Sequence, residues 1–258
     1  MANGVLIRRS VVILAAAAVM ALGPSAPRVS AQGMTSVQGD AILKELKEIR
    51  RMLEDMQKQL AAVGAAQRAP AADAPVKVSI ANGQAMGSAS APLVLVEFTD
   101  YQCPYCRNFA VSTFPTLKTK YIDTGKLQFV SRDFPLDFHP NAMIAAHAAR
   151  CAADQGKFWE IRSALFANNT ALQKDRLLTY ARDLSLNMPT FQACLDKETH
   201  LASIQTDLSD ALAAGIEGTP SFVLGRRTST VTIEGVRIVG AQPLAVFDAK
   251  ISELLAAK

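Results

Sequence analysis

The sequence predicts an α/β domain with an inserted helical subdomain, preceded by an N-terminal coiled-coil-like helix. Three observations predict it. The apolar run Pro92-Leu93-Val94-Leu95-Val96-Glu97-Phe98 reads as a buried central strand. Residues 141–214 are rich in Ala and Leu, nearly free of glycine, and periodic as helix. A short strand pair and a final helix follow that block. Strand, helix, strand, helical block, hairpin and helix in that order describe a sheet covered by helices, with the block inserted between strands. With 258 residues, half of them apolar, there is material for one sizeable core.

Arg8 and Arg9 are followed by the apolar run Val11 to Leu22 and a small-residue site ending Val29-Ser30-Ala31, the pattern of a cleaved secretory signal over residues 1–31. The run is about twelve residues long, short of the roughly 20 a spanning helix needs. A periplasmic or otherwise exported protein is therefore expected. No cysteine lies near the cleavage site, so lipid modification there is not expected. The segment carries three arginines and no acidic residue; without it, 24 basic residues face 23 acidic ones. A nearly neutral mature chain has no basic excess to offer nucleic acid or an anionic membrane, and no nucleic-acid partner is expected.

Ile42, Leu46, Ile49, Leu53, Met56, Leu60 and Val63 recur at steps of four and three, an a/d seam of about three heptads within residues 37–63. Leu falls at a and Ile, Ile, Met and Val at d, a choice that favours trimers or tetramers over dimers. Leu43 and Met52 widen the stripe, which also suits a helix lying on its own domain. A helix this short is marginal alone in water, so either reading requires a partner surface. Homo-oligomerisation through 37–63 is expected, followed by an Ala- and Pro-rich linker over 64–75.

The remaining domain is expected over 76–258. Val76 to Ile80 alternates like an edge strand, and the central strand after it runs straight into Cys103. A helix is expected from Cys103 to about Tyr121, kinked where Pro115 lacks a backbone donor. Leu127 to Ser131 reads as the next strand. Breaks at Gly156, Asn168-Asn169 and Met188-Pro189 divide 141–214 into four or five helices. Ser221 to Leu224 and Val231 to Ile233 form a hairpin around a loop at Gly225 to Thr230, and a last helix spans about Pro243 to Ala256.

All four cysteines lie beyond the signal, and an even count in an exported chain points to disulfide chemistry. Cys103-Pro104-Tyr105-Cys106 stands at a strand-to-helix junction. Cys103 at the N-cap would meet unpaired backbone donors and the positive end of the helix dipole, both of which favour a thiolate. Pro104 fits the first helical position, where a missing N–H costs nothing. Cys106, one turn further in, would be buried and resolve a mixed disulfide. A lone C-x-x-C also suits half a zinc site or a plain structural bridge, but zinc calls for a second ligand pair. Cys151 and Cys194 are too far apart to form another C-x-x-C, although His147 and Cys151 stand i, i+4 on one helix face. No metal and no cofactor are expected.

The run Val96-Glu97-Phe98-Thr99-Asp100-Tyr101-Gln102-Cys103-Pro104-Tyr105-Cys106 resembles the active-site strand and helix start of DsbA-type thiol:disulfide oxidoreductases, which have a thioredoxin fold. Arg132 to Pro135, His139-Pro140, Ala145 to Ala152, Gln155 to Trp159 and Gly218 to Phe222 extend the resemblance over about 76–258. It implies that Cys103 and Cys106 are the catalytic pair and that Pro220 is the family's cis-proline. The backbone of Thr219 would then be offered to substrate, beside Pro104 and Tyr105. It implies that Glu97 is a buried carboxylate exchanging a proton with Cys106, and that Cys151 and Cys194 form a structural disulfide across the insertion. Closing that 44-residue loop contributes roughly 3–5 kcal/mol on a loop-entropy account. His139, His147 and His200 read as loop or helix-surface residues, and Trp159 as core.

These readings imply an exported enzyme that forms disulfides in folding proteins and is reoxidised by a membrane redox partner. Its substrates would be unfolded or misoxidised exported proteins. An oligomeric isomerase or reductase is the alternative, since Pro-Tyr replaces the Pro-His of strongly oxidising members and Thr219 resembles the isomerases. A holdase or metal-binding module fits the strand, CPYC and proline set less well.

Overall fold

The computed structural model describes residues 36–66 and 74–257. The expected signal over 1–31 and most of the expected linker lie outside them. Helix α1, Ser36–Ala66, contains the heptad segment. It continues through Gly64, where the linker was expected to begin, because Ala65 and Ala66 are strong helix formers that extend the last turn. Ile42, Leu46, Ile49, Leu53 and Met56 of the seam are all exposed.

From Val76 onward the chain forms a six-stranded sheet: β1 Val76–Ser79, β2 Gln84–Met86, β3 Leu93–Thr99, β4 Leu127–Asp133, β5 Ser221–Arg227 and β6 Thr232–Val239. The strand order is β1-β6-β5-β3-β4-β2, with β3 and β4 parallel and every other pair antiparallel. Every residue of β3 is buried, because both faces of the central sheet are covered. Leu93 and Leu95 pack with Phe109, Phe129, Phe222 and Phe247 on one face. Val94, Val96 and Phe98 pack with Val130, Val223 and Ala211 on the other.

Helix α2 occupies residues 104–122 as α segments Pro104–Asn108 and Phe114–Leu117 alternating with π turns Phe109–Thr113 and Lys118–Ile122. The break expected at Pro115 is thus taken up by the π turn before it, whose wider winding accommodates the missing donor. The insertion comprises α3 Ala142–Ala153, α4 Phe158–Ala167, α5 Lys174–Asp183, α6 Met188–Asp196 and α7 Leu201–Ala213; α8 Leu244–Ala256 ends the described chain. Small residues on α3, Ala145, Ala148, Ala149 and Ala152, let Phe158, Ile161, Phe191 and Ile204 close around it in a second core.

Two elements differ from expectation. Strand β2 carries no alternating apolar signal, since Gln84, Ala85 and Met86 are half-buried or exposed at the sheet edge beside β4. The hairpin strands run past Leu224 because Gly225 and Gly235 pair across them. A Cβ on Gly225 would collide with the Glu234 carbonyl, so this glycine serves a close approach of two strands and not a turn.

An ionic lattice joins insertion to sheet. Arg132 on β4 donates to Asp207 of α7 at 2.9 and 2.6 Å and to Asp210 at 2.8 Å. Arg150 of α3 pairs with Asp133 of β4 at 2.6 Å and also with Asp207. Both guanidinium groups reach back to the start of the sheet, Arg132 to the Ser79 carbonyl at 2.8 Å and Arg150 to that of Asn82 at 2.7 Å. Burial, then the charge of Asp133, pushes Asp207 up to about 6. Removing one partner from such a group strands a buried charge. Arg150→Met is expected to destabilise the protein by about 3–5 kcal/mol, measured by urea denaturation with the disulfide intact; a loss under about 1 kcal/mol would show that the lattice carries little.

Candidate active site

Strand β3 ends at Thr99 and the chain turns once before α2, so the cysteine pair sits on the carboxyl edge of the central strand. Cys103 is the N-cap of α2, with extended φ and ψ of −67° and 124° and Pro104 in the first turn. Its carbonyl accepts the first helical bond from the N–H of Arg107 at 3.1 Å. Cys103 and Cys106 are free cysteines here, both buried. The Thr219–Pro220 peptide is cis, and the Thr219 carbonyl accepts from the Cys103 thiol at 3.5 Å.

The two sulfurs sit in opposed environments. The Cys106 thiol, the Thr219 side chain and the backbone N–H groups of Cys106 and Tyr105 bring Cys103 down to about 5, against the effect of burial. Burial, followed by the neighbouring Cys103 sulfur, pushes Cys106 well above the ordinary thiol range. The backbone N–H of Asp100 donates to the Cys106 sulfur at 3.5 Å.

A cleft of about 310 Å3 opens beside Cys103, lined among others by Pro104, Tyr105, Leu136, Phe138, His139 and Thr219. Tyr105 and Phe138 are largely exposed, 67% and 75%, and form its aromatic rims. Glu97 is fully buried and accepts from Arg162 at 2.8 Å and from Ser131 at 3.3 Å, while its Oε1 has no partner. Arg162 in turn lies over the rings of Phe166 and Phe114, at 4.8 and 4.9 Å. Alternation along β3 puts Glu97 on the same face as Thr99, the last residue of the strand before the cysteine turn. Cys151 and Cys194 are joined by a disulfide with a Cα separation of 5.9 Å, tying α3 to α6 and lying away from the residues that line the cleft.

His139 and His200 lie in turns, as expected, His200 just before α7 with its Nε2 at 2.8 Å from Asp154, whereas His147 is buried within α3 instead of on a helix surface. His139 lines the cleft, its Nδ1 2.7 Å from Asp100. Asp100 is the residue that sequence reasoning passed over. Its Oδ1 accepts from the N–H groups of Gln102 and Cys103 at 2.7 and 3.2 Å, and its Oδ2 from Leu136 at 2.9 Å and His139. One buried carboxylate thereby fixes the cysteine turn against the loop that forms the opposite wall. Its position at the end of an apolar strand, three residues before a cysteine, was the available signal.

Residues 79–238 match the family described as Thioredoxin. Among solved structures, α-DsbA1 of Wolbachia pipientis is similar at 27% identity and TM-score 0.59, covering 67% of this chain and 91% of that one. BdbD of Bacillus subtilis shares the fold at 24% identity and TM-score 0.60, covering 71% and 98%. Sequence relatives include the Na(+)/H(+) antiporter NhaA 3 of Salinispora tropica, 37% identical over 143 residues, which are 55% of this chain and 21% of that protein. The chain spans about a fifth of the length of the curated relatives it matches. Among the described residues no helix is long and apolar enough to cross a membrane. With its match over 79–238 and a sheet interrupted by five helices, the chain belongs to the thioredoxin family and carries the DsbA-type form of that fold.

Proposed function

We propose that this protein is an exported thiol:disulfide oxidoreductase that forms disulfides in folding proteins through a Cys103/Cys106 cycle. The observation that carries the proposal is the placement of the two thiols, Cys103 at the N-cap of α2 against the Thr219 carbonyl and Cys106 fully buried one turn deeper. In the oxidised enzyme a substrate thiolate attacks the Cys103 sulfur, the Cys103–Cys106 bond breaks, and Cys106 leaves and takes a proton. A second substrate thiolate then attacks the mixed disulfide at the substrate sulfur and expels Cys103 as a thiolate. The substrate loses two electrons and the enzyme gains them. A Cys103 thiol near 5 is a good leaving group, which drives the second step. Glu97, fully buried with one unpartnered oxygen on the strand that leads into the cysteine turn, is assigned the proton exchange with Cys106. Pro104, Tyr105, Thr219 and Pro220 line or adjoin the cleft that would receive the substrate chain. A membrane redox partner would reoxidise the pair.

A second reading, an oligomeric isomerase or reductase, is favoured by the exposed apolar seam of α1. Assembly through that seam would tether several active sites, raising the effective concentration of a second site at a wrong disulfide.

Three outcomes are expected. Alkylation of Cys103 in the reduced protein should already be near its plateau at pH 7 and should fall about tenfold per pH unit below about 5. A midpoint near 8.5, or dithiol oxidation surviving Cys103→Ser, would refute the mechanism. The lowered thiol also sets the direction of linkage. A depressed folded-state pKa stabilises the reduced form fully above the unfolded value near 9, and the gain disappears as pH falls through about 5. Denaturation of both redox forms should therefore show the reduced form gaining on the oxidised one between about pH 5 and 9. Light scattering of the chain from residue 32, beside a chain starting at Val76, separates the two readings. Assembly of the longer chain only, with isomerase activity lost on truncation, supports the oligomeric isomerase; a monomer excludes it.

A further inference from the structure

Outside the active site, the ligand atoms of Cys151, Cys194 and His200 all lie within 4.8 Å of one another. Donors around one zinc ion stand roughly 3.5–4 Å apart, so opening the Cys151–Cys194 bond and a small inward shift of the imidazole would satisfy that geometry. The nitrogen–sulfur set is borderline-soft, the chemistry that selects zinc over magnesium or calcium. The second observation is the orientation of His200. Its Nε2 lies 2.8 Å from Asp154 Oδ2, so a carboxylate orients the ring beside the two sulfurs, the kind of carboxylate–histidine support common at zinc sites. The same Asp154 oxygen is 3.8 Å from the Cys194 sulfur. The side chains are reachable, since Cys194 and His200 are only partly buried.

We propose that the insertion carries a redox-conditional zinc site, in which Cys151, Cys194 and His200 bind a thiophilic divalent cation once their disulfide is reduced. The proposal does not rest on the oxidase reading of Cys103 and Cys106. A dithiol or phosphine reductant supplies two electrons to the Cys151–Cys194 bond, giving two thiols; zinc binding then displaces their two protons and forms two Zn–S bonds and one Zn–N bond. The fourth position is taken by water. The cation replaces a covalent link between α3 and α6 with a coordinate one, so the same two helices remain tied when the bond is open.

The test uses the full chain with Cys103→Ser and Cys106→Ser, in which Cys151 and Cys194 are the remaining thiols. Zn2+ alone is titrated against a chromophoric chelator, before and after reduction with a phosphine under nitrogen. One zinc per reduced chain and none per oxidised chain is expected. His200→Gln should weaken binding at least about tenfold, and Asp154→Asn about 10–100-fold. Substituted cobalt should show a thiolate charge-transfer band that Cys194→Ser diminishes. Equal binding by the oxidised chain, absence of binding by the reduced chain, or unchanged affinity in His200→Gln would each overturn the proposal. Should reduction loosen the insertion, zinc is expected to restore its thermal transition, and failure to restore it also overturns the proposal.

Discussion

The buried lattice of Arg132, Arg150, Asp133 and Asp207 is the constraint on which the rest of this domain depends. The helical insertion leaves the sheet after β4 and returns before β5, and between its two ends it needs attachment to the sheet beyond the single Arg162–Glu97 pair of α4 and β3. The lattice provides that attachment at one point from three directions: β4, the first helix of the insertion and the last. Charges buried this deeply contribute only when every partner is present, which makes the geometry specific even where its net energy is modest. The loop 136–141, between Asp133 and α3, is anchored on both sides of the lattice, and this loop forms one wall of the cleft.

Within that frame the chemistry needs little. One sulfur is placed at a helix start among donors and the other one turn deeper, so an ordinary pair of thiols becomes unequal. Nothing in the C-x-x-C itself imposes the difference; it arises from where the strand stops and the helix begins. Arg162 and Glu97 extend the arrangement into the core, with the guanidinium enclosed by aromatic rings and its charge balanced by a single carboxylate oxygen.

Elements with strong periodicity were legible. The apolar run of β3, the Ala-rich face of α3 and the cysteine spacing each encode burial or helix start in the local sequence. What was not legible depended on contacts between distant segments. Strand β2 exists because β4 offers it an edge, and Gly225 lies in a strand because Gly235 sits opposite. Asp100 and His139 are 39 positions apart and meet only after the loop folds back over the cysteine turn. Their residue types alone also suit a turn cap and a surface histidine, so His139 had no local signal and Asp100 only its place three residues before Cys103.

The Asp100 carboxylate spends all of its acceptor capacity on four donors, two from the cysteine turn and two from the facing loop. None of these bonds involves a sulfur. These four bonds therefore need neither break nor form when the cysteines are joined. What changes is a unit of negative charge at Cys103, present in the reduced form and absent in the oxidised one. A partner that distinguishes the reduced from the oxidised protein can read that charge at one atom, and recognition of this kind is sensitive to ionic strength in a way that a change of shape is not.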